Sequence, residues 1–304
     1  MTNTIAIFGL LVVLMAIGMP VGVALGLTVL SFMFIFTDVP LESVALKMFT
    51  GIEKFEIMAI PFFILAGNFL THGGVARRMI NFATSMVGHL RGGLGMSAVL
   101  ACALFAAVSG SSPATVVAIG SILIPAMVKQ GYPLRFGAGV VASAGGLGIL
   151  IPPSIVMVMY SVTTNSSVGA LFMAGVIPGL LLAFMLGLTT WYVARKNNYP
   201  TLPTVRWADR LKAFRKAFWG LMLIVVVMGG IYSGMFTPTE AAAMSAVYAF
   251  FIAVFVYKDL TFKQIPRVLL DSANMSAMLL FIIASAVLFS FILTSEQIDR
   301  KSVV

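Results

Sequence analysis

The stretch Ser109-Gly110-Ser111-Ser112-Pro113-Ala114-Thr115 interrupts an apolar segment, and a second interruption follows at Gly145-Gly146-Leu147-Gly148-Ile149-Leu150-Ile151-Pro152-Pro153-Ser154. Glycine and proline free backbone amides and carbonyls at such breaks. In hydrocarbon these groups persist only where protein or a wet cavity surrounds them. Paired broken helices near the middle of the membrane are how secondary transporters hold an ion or an anionic solute. The two breaks therefore predict a transporter.

The composition around these breaks is that of a helical membrane protein. Apolar residues make up 60% of the 304 residues, charged residues make up 10%, and the mean hydropathy is +1.06. A soluble domain needs more charge than this to cover its surface. Runs of about twenty apolar residues, long enough to cross a bilayer, recur along the chain. We therefore expect an all-α polytopic membrane protein, with no cleavable signal because no basic region precedes the first apolar run.

The positive charge indicates membrane topology and not nucleic-acid binding. The net charge is +9, and seven of the nineteen Lys and Arg residues lie between residues 195 and 216, opposite only Asp209. The positive-inside rule places this linker in the cytoplasm. The single cysteine, Cys102, lies inside an apolar segment, and neither histidine has a partner at ligand spacing. The sequence therefore predicts neither a disulfide nor a thiolate or histidine metal site.

Charge also predicts how the neighbouring segments cross the membrane. From the cytoplasmic linker, residues 171–194 lead outward, residues 136–160 return through the second break, and residues 55–71 run inward. The segment 92–128 has basic residues at both ends, so we expect a re-entrant hairpin that enters from the cytoplasm with the first break at its tip. A pair of complete spans is the alternative for this segment.

The pattern of the N-terminal part begins again after the basic linker. Residues 4–36 form an apolar run that Gly18-Met19-Pro20 divides into two predicted helices with an external N-terminus. A single kinked helix, the alternative, would place the N-terminus on the opposite side of the membrane. An amphipathic stretch and the span 55–71 follow. The same order then recurs as residues 218–233, the break Gly234-Met235-Phe236-Thr237-Pro238, residues 239–257, an amphipathic stretch 258–270 and a span 272–294. Since charge orients the two spans oppositely, we predict an inverted-topology repeat.

The second repeat is expected to be incomplete. Nothing after residue 294 corresponds to residues 92–160, the hairpin and broken helix of the first repeat. We also expect the last six residues, 299–304, to be a non-native tail, because they match a reading frame of a common sequencing adapter in which the next codon is a stop.

At this point the chain resembles the large membrane subunit of TRAP transporters, the DctM type. The resemblance covers everything before Asp299 and is carried by residues 61–68, 73–78, 109–115, 148–154 and 234–243. It implies sodium-driven uptake of an organic anion (a C4-dicarboxylate, a sugar acid or a similar carboxylate) through the bacterial inner membrane. It implies a periplasmic binding protein and a small four-helix membrane subunit as partners, no enzymatic activity, and no cofactor besides the coupling sodium.

The family's fold further implies an elevator, in which a transport unit moves against a scaffold. On this basis we divide the chain into five parts: scaffold helices and interfacial arms (1–91), the hairpin and broken helix of the transport unit (92–160), a span and the cytoplasmic basic linker (161–216), the incomplete second repeat (217–298) and the tail (299–304).

Both breaks contain groups that could hold the ion. Sodium is a hard cation that prefers oxygen ligands, so we predict the hydroxyls of Ser111, Ser112 and Thr115 and the Gly110 carbonyl as ligands. The alternative is that these small residues only let helices pack closely. In the second break, Gly146 and Gly148 are predicted to bind the ion and Pro152, Pro153 and Ser154 the substrate. Whether carbonyls there bind sodium or amides face the substrate stays open, and a simple packing kink is the alternative.

Two polar residues in apolar segments have structural explanations. Thr237-Pro238-Thr239-Glu240 has the pattern of a capping box with proline at the first helical position, so we expect Glu240 to accept from the Thr237 amide instead of binding an ion. Asn68 is expected to form an interhelical hydrogen bond instead of contacting substrate.

Four other functions compete with this interpretation. A stand-alone ion-coupled anion symporter of related fold would work without a binding protein. The permease of an ATP-driven importer would also lack a nucleotide-binding loop, but inverted repeats with two midplane breaks argue against it. An intramembrane enzyme would need a nucleophile and base, paired aspartates or a zinc motif, none of which the sequence contains. A purely structural membrane protein would have little need for two such breaks.

Overall fold

The computed structural model describes residues 2–37, 40 and 42–295. Over these ranges the chain is helical, without β-strands, which confirms the all-α prediction. Six helices are long and apolar enough to span a membrane, and the bent pair Leu134–Leu150 and Ile155–Thr164 would make a seventh. The predicted tail, residues 299–304, lies outside the described residues.

The described chain forms fourteen α-helices. They are α1 (Thr2–Ala16), α2 (Val21–Phe36), α3 (Glu42–Ile52), α4 (Ala59–His72), α5 (Val75–Val87), α6 (Gly93–Ser109), α7 (Ser112–Lys129), α8 (Leu134–Gly145), α9 (Leu147–Leu150), α10 (Ile155–Thr164), α11 (Val168–Lys196), α12 (Trp207–Tyr232), α13 (Pro238–Phe251) and α14 (Ile265–Ser295). Short 3₁₀ turns precede α4 and α14, and a π-helical turn, Ile252–Val256, follows α13.

The chain divides into two compact units. One contains α1 to α3 and α14 from Asn274 onward, and the other extends from Glu56 to Ala273. In the first unit, Gly18 adopts a φ of +91° between α1 and α2, a conformation that favours glycine. The predicted division of residues 4–36 into two helices is therefore confirmed. Its core contains Phe32 and Met33 of α2 packed with Leu288 and Ile292 of α14.

The second unit is built around α6, which packs against α5, α7, α8 and α11. Arg78 of α5 connects this helix to the segment that follows α13. The Arg78 guanidinium forms an ion pair with Asp259 and lies over the Tyr257 ring, 3.8 Å from its centroid. The Tyr257 hydroxyl in turn donates to the Lys216 carbonyl of α12 at 2.7 Å. The predicted hydrogen bond of Asn68 is confirmed, because its Nδ2 donates to Ser272 Oγ at 2.8 Å.

Two predicted boundaries differ from the structure. The basic linker is shorter than predicted, because α12 already begins at Trp207 and leaves only residues 197–206 without helix. Packing explains the extension. Gly220 allows α12 to approach Val75 of α5, where an added Cβ would lie 2.6 Å from Val75 Cγ1, and the rings of Phe214 and Phe82 lie 5.5 Å apart.

The predicted boundary between an amphipathic stretch 258–270 and a span 272–294 is wrong. A single helix, α14, covers both from Ile265 onward. The sequence contains no glycine or proline between residues 267 and 295, so nothing there ends a helix. Pro266 lies in the first turn, where its missing N–H leaves no hydrogen bond unmade.

Candidate functional site

The first break forms the tight tip of a helical hairpin. Helix α6 ends at Ser109 and α7 begins at Ser112. Gly110 adopts a φ of +61°, which reverses the chain direction at little conformational cost for glycine. Ser111 caps α7, since its Oγ accepts from the Ala114 amide at 3.5 Å. The sequence therefore folds here because glycine permits the turn and serine begins the next helix.

The tip encloses a small cluster of hydroxyl and carbonyl oxygens. Ser109 and Thr115 are buried, with 1% and 0% of their surfaces exposed. Their Oγ and Oγ1 atoms lie 3.1 Å apart, and Thr115 Oγ1 donates to the Ser111 carbonyl at 2.8 Å. The hydroxyl of Thr115 is thus held by the tip itself, and its oxygen keeps lone pairs for another partner.

The second break interrupts the middle of a helical segment. Helices α8 and α9 meet at Gly146, residues 151–154 leave the helix, and α10 resumes at Ile155 after a bend of 44°. Pro152, Pro153 and Ser154 are all buried. Because prolines lack an N–H and remove helical hydrogen bonds, this stretch exposes carbonyl groups to its surroundings inside the protein.

The two breaks meet through their backbones. The Ile155 amide donates to the Gly110 carbonyl at 3.1 Å. A Cβ added to Gly148 would lie 2.8 Å from the Ser112 nitrogen, and one added to Gly110 would lie 2.8 Å from the Pro153 oxygen. Only residues without side chains allow these approaches. We call this contact between the hairpin tip and the broken helix the junction, comprising residues 109–115 and 145–155.

One buried hydroxyl at the junction has no protein partner. Ser154 is 0% exposed, and its Oγ forms no hydrogen bond with any described residue. Burying a hydroxyl without a partner is costly. A buried hydroxyl without a partner calls for a specific explanation, such as a role as ligand to a cation or to a water molecule.

The structure brings most of the predicted site residues together. The hairpin contributes Gly110, Ser111, Ser112 and Thr115, and the broken helix contributes Gly148, Pro153 and Ser154. Pro152 is buried in the same stretch. Gly146 is different. It lies at the bend between α8 and α9, and the only described atom within 4 Å of a Cβ added there is the Ser143 oxygen of its own segment. The preceding residue, Gly145, faces the hairpin instead.

Two glycines that approach the hairpin were missed by the sequence argument. A Cβ added to Gly145 would lie 3.6 Å from the Ser112 oxygen, and one added to Gly67 of α4 would lie 3.2 Å from the Ser109 oxygen. Gly145 belongs to the predicted break but was not assigned a role. Gly67 carries no local signal, because a single glycine in an apolar helix does not indicate which neighbour approaches it.

The predicted capping box is present at the start of α13, away from these contacts. The Thr237 amide and hydroxyl both donate to Glu240 Oε2, at 2.8 and 2.9 Å, and the Glu240 amide donates to Thr237 Oγ1 at 3.3 Å. Pro238 is the first residue of α13, as expected. The carboxylate of Glu240 is therefore occupied by its own helix end.

The chemistry available at the junction is that of neutral oxygen ligands. Its hydroxyls and carbonyls can coordinate a hard cation, whereas no side chain in residues 109–115 or 145–155 titrates near neutral pH. Across the described residues, no group of three or more His, Cys, Asp or Glu side chains is placed to hold a metal ion. The geometry suits ion binding and offers no acid–base pair.

Comparisons with known proteins agree on one family. The family model described as tripartite ATP-independent periplasmic transporter, DctM component, matches residues 8–302. The chain is 68% identical to the C4-dicarboxylate TRAP transporter large permease protein DctM of Rhodobacter capsulatus, over 98% of this chain and 71% of that protein. It is 56% identical to the protein of the same name from Pseudomonas aeruginosa, over 91% of this chain and 65% of that protein.

A more distant relative differs in its stated substrate. The chain is 38% identical to the sialic acid TRAP transporter large permease protein SiaM of Vibrio cholerae, over 97% of this chain and 69% of that protein. The chain thus spans between 65% and 71% of the length of these three relatives. The extent of the family match and these identities show that the chain belongs to the DctM family of tripartite ATP-independent periplasmic transporter components, and that it is a multi-pass membrane protein.

Proposed function

We propose that this chain forms part of the large permease of a sodium-coupled TRAP transporter that takes up a C4-dicarboxylate across the inner membrane. The substrate class is supported by the two relatives above that are named for C4-dicarboxylate and share 68% and 56% identity with the chain. A periplasmic binding protein delivers the substrate, and a small membrane subunit completes the complex. Both partners follow from the tripartite family.

The junction carries the proposal for sodium. Ser154 Oγ is buried without a described partner, and the next residue, Ile155, bonds the Gly110 carbonyl of the hairpin tip that also holds the Ser109 and Thr115 hydroxyls. A sodium ion bound among these oxygens would supply the missing partner. The Gly110 carbonyl already accepts from Ile155, but a carbonyl oxygen has a second lone pair for a cation.

The start of α10 supports a role for the second break in anion binding. Ser154 is the N-cap of α10, and its side chain does not cap the helix. The first amide of α10, that of Ile155, already donates to the Gly110 carbonyl, but the amides of the first helical turn together still attract negative charge. A carboxylate of the substrate would lie near this end, next to the coupling ion, so that each favours binding of the other electrostatically.

The hairpin and the broken helix would move together as the transport unit of an elevator. Their backbone hydrogen bond and the close contact at Gly148 support a common movement. The burial of the tip against the middle of the broken helix also favours the re-entrant hairpin over two complete spans.

The proposal is tested by reconstituting the permease containing this sequence with its small subunit in liposomes. Uptake of radiolabelled succinate is measured with and without the binding protein and an inward sodium gradient. We expect uptake only when both are present. Uptake without the binding protein would favour the stand-alone symporter, and uptake that is indifferent to sodium would contradict the coupling.

Removing the unpartnered hydroxyl tests the site itself. Ser154→Ala should raise the sodium concentration for half-maximal uptake at least tenfold, because it deletes one ligand. The matched control is Ser161→Ala on the same helix, a buried serine whose Oγ donates to the Ser166 carbonyl at 2.8 Å. It should leave the sodium dependence within twofold. Equal effects of both variants would contradict a specific role for Ser154.

A further inference from the structure

A groove of about 290 Å³ lies between α8 and α11, apart from the junction. Its polar lining includes Arg135, Ser143 and Thr189, and its apolar lining includes Val140, Leu186 and Val193. Arg135 is the second residue of α8 and Ser143 the tenth, so the groove runs about 12 Å along the helix at 1.5 Å per residue. One end is cationic and the remainder is largely apolar.

The groove is open where a side chain could have filled it. Gly139 lies in the interior of α8, and no described atom lies within 4 Å of a Cβ added there. Glycine weakens a helix interior relative to alanine, so it needs another reason to be there. Gly145 at the end of the same helix has such a reason, since its added Cβ would lie 2.1 Å from Val116 Cγ2, but Gly139 has none. A ligand that occupies the groove would supply it.

By the positive-inside rule, we expect the cationic end of the groove to lie near the cytoplasmic surface of the membrane. Tyr132, immediately before α8, donates from its hydroxyl to the Pro200 carbonyl at 2.8 Å, and its ring lies 5.0 Å from that of Tyr199. These aromatic side chains join the two connecting loops at the ends of α8 and α11. With these loops on the cytoplasmic side, Arg135 would lie in the headgroup layer and Ser143 deeper.

The charge at this end is positive without compensation. Arg135 is exposed and forms no ion pair with any described carboxylate. The sequence contains no Asp or Glu between Glu56 and Asp209, while Lys129, Arg195 and Lys196 also end the helices at this surface. Basic pockets between helices at the cytoplasmic surface suit anionic lipid headgroups.

We propose that the groove between α8 and α11 binds an anionic phospholipid, with its phosphate at Arg135 and an acyl chain along Gly139 toward Ser143. A free phosphate would use the cation but leave the apolar walls uncovered. A neutral phospholipid would fit the walls but gain less from the surrounding positive charge. The proposal concerns a surface away from the junction and does not depend on the transported substrate.

The test measures lipid bound to the purified chain in neutral detergent by native mass spectrometry. Phosphatidylglycerol, phosphatidylcholine and inorganic phosphate are titrated separately. We expect phosphatidylglycerol to bind at least fivefold more tightly than phosphatidylcholine and to raise the thermal unfolding midpoint. Equal binding of the two lipids, or equal stabilisation by inorganic phosphate, would overturn the proposal.

Two variants locate the site on the groove. Gly139→Leu places a side chain in the groove at a position whose added Cβ has no described atom within 4 Å, and Arg135→Gln removes the cation. Each should weaken phosphatidylglycerol binding at least fivefold. The matched controls are Gly187→Leu, at another helix glycine with no described atom within 4 Å, and Arg206→Gln, which removes a charge outside the groove. Both controls should stay within twofold.

A folding check separates lost binding from lost structure. Each variant is compared by gel filtration and by its lipid-free unfolding midpoint, which should match that of the parent chain. Arg135→Lys retains the charge and should retain most of the binding even if Arg135→Gln fails to fold. Equal losses in the groove variants and the controls would overturn the assignment.

Discussion

Individual glycines determine how closely the two breaks approach each other. Gly148 and Gly110 each face a backbone atom at 2.8 Å from a hypothetical Cβ, whereas Gly139 of α8 faces nothing within 4 Å. The same residue type thus has opposite roles in neighbouring helices. At the junction glycine is required by contact, and in the groove it leaves space.

Gly148→Ala should destabilise the protein by about 1–3 kcal/mol, the usual cost of inserting a methyl group into a well-packed contact. The added methyl would clash with the backbone of Ser111 and Ser112, and this clash cannot be relieved by rotating a side chain because the atoms concerned belong to the backbone. Unfolding in detergent micelles, followed by circular dichroism, measures the change.

The control for this variant is Gly229→Ala on α12, where no described atom lies within 4 Å of the added Cβ. Alanine favours a helix interior over glycine, so Gly229→Ala should be neutral or more stable by up to about 1 kcal/mol. A Gly148→Ala protein as stable as the control would show that the hairpin tip can move away freely.

The sequence was sufficient to locate both breaks but not to identify every residue that forms the contact between them. Runs of glycine, serine and proline in apolar segments identify where a helix ends, which is why breaks at residues 109–115 and 145–154 were predicted. The contact at Gly67 depends on which helix packs there, and that information is distributed over the whole fold. The role of Gly146 as a bend and of Gly145 as the contact differs by one residue, a distinction that requires the helix rotation.

Among helices and connections, the loop before α8 is held by one tyrosine. Tyr132 is 3% exposed, its hydroxyl donates to the Pro200 carbonyl, and its ring packs against Phe136 and Tyr199. Burial raises the pKa of the Tyr132 hydroxyl above its ordinary value of 10.0. The folded chain therefore favours the protonated phenol.

Tyr132→Phe should lower the free energy of unfolding by about 1 kcal/mol at pH 8, the typical net value of one hydrogen bond. Because the pKa of Tyr132 is raised by folding, its contribution is complete below about pH 10 and is lost as the pH rises above that value. The parent chain should therefore lose stability as the pH rises above about 10, and the variant should lose less.

Urea unfolding of both proteins across this pH range measures the difference. Tyr192→Phe is the control, because the Tyr192 side chain is 62% exposed, and it should leave the unfolding free energy within about 0.5 kcal/mol. Parallel pH profiles for the parent chain and Tyr132→Phe would show that Tyr132 does not contribute to the loss.

Helix boundaries were predictable where glycine or proline marks them and less so elsewhere. The break after α1 follows Gly18 and Pro20, and α13 begins at Pro238, both as predicted. The start of α12 and the continuity of α14 were not foreseen, since both depend on whether a charged segment continues the helix of the apolar run beside it. Packing on α5 continues the helix in the first case, and the absence of a helix breaker continues it in the second.

For the molecule in its membrane, the charge distribution predicts which connections face the cytoplasm. The connection of α11 to α12 carries the basic residues and should be inside, while the uncharged connection of α10 to α11 should be outside. Asn198 and Asn165 lie in these two connections, each with a positive φ, and they provide positions for labelling.

Cysteine labelling of intact and permeabilised cells tests this topology. In a Cys102→Ala background, Asn165→Cys should react with a membrane-impermeant maleimide in spheroplasts, and Asn198→Cys should react only after permeabilisation. The parent chain provides the control, since Cys102 is 0% exposed and should stay unlabelled until denatured. The reverse pattern for Asn165→Cys and Asn198→Cys would invert the orientation of every span.

The hydrogen bond from the Ile155 amide to the Gly110 carbonyl joins the two breaks through peptide groups alone. Replacing Ile155 by alanine changes only a side chain and leaves this bond in place, so it does not measure what the bond contributes. Replacing a peptide bond by an ester removes the amide donor without changing the side chain. The contribution of this hydrogen bond to holding the hairpin on the broken helix is therefore measured by an ester substitution in the backbone. Side-chain substitutions do not remove the bond and so do not measure it.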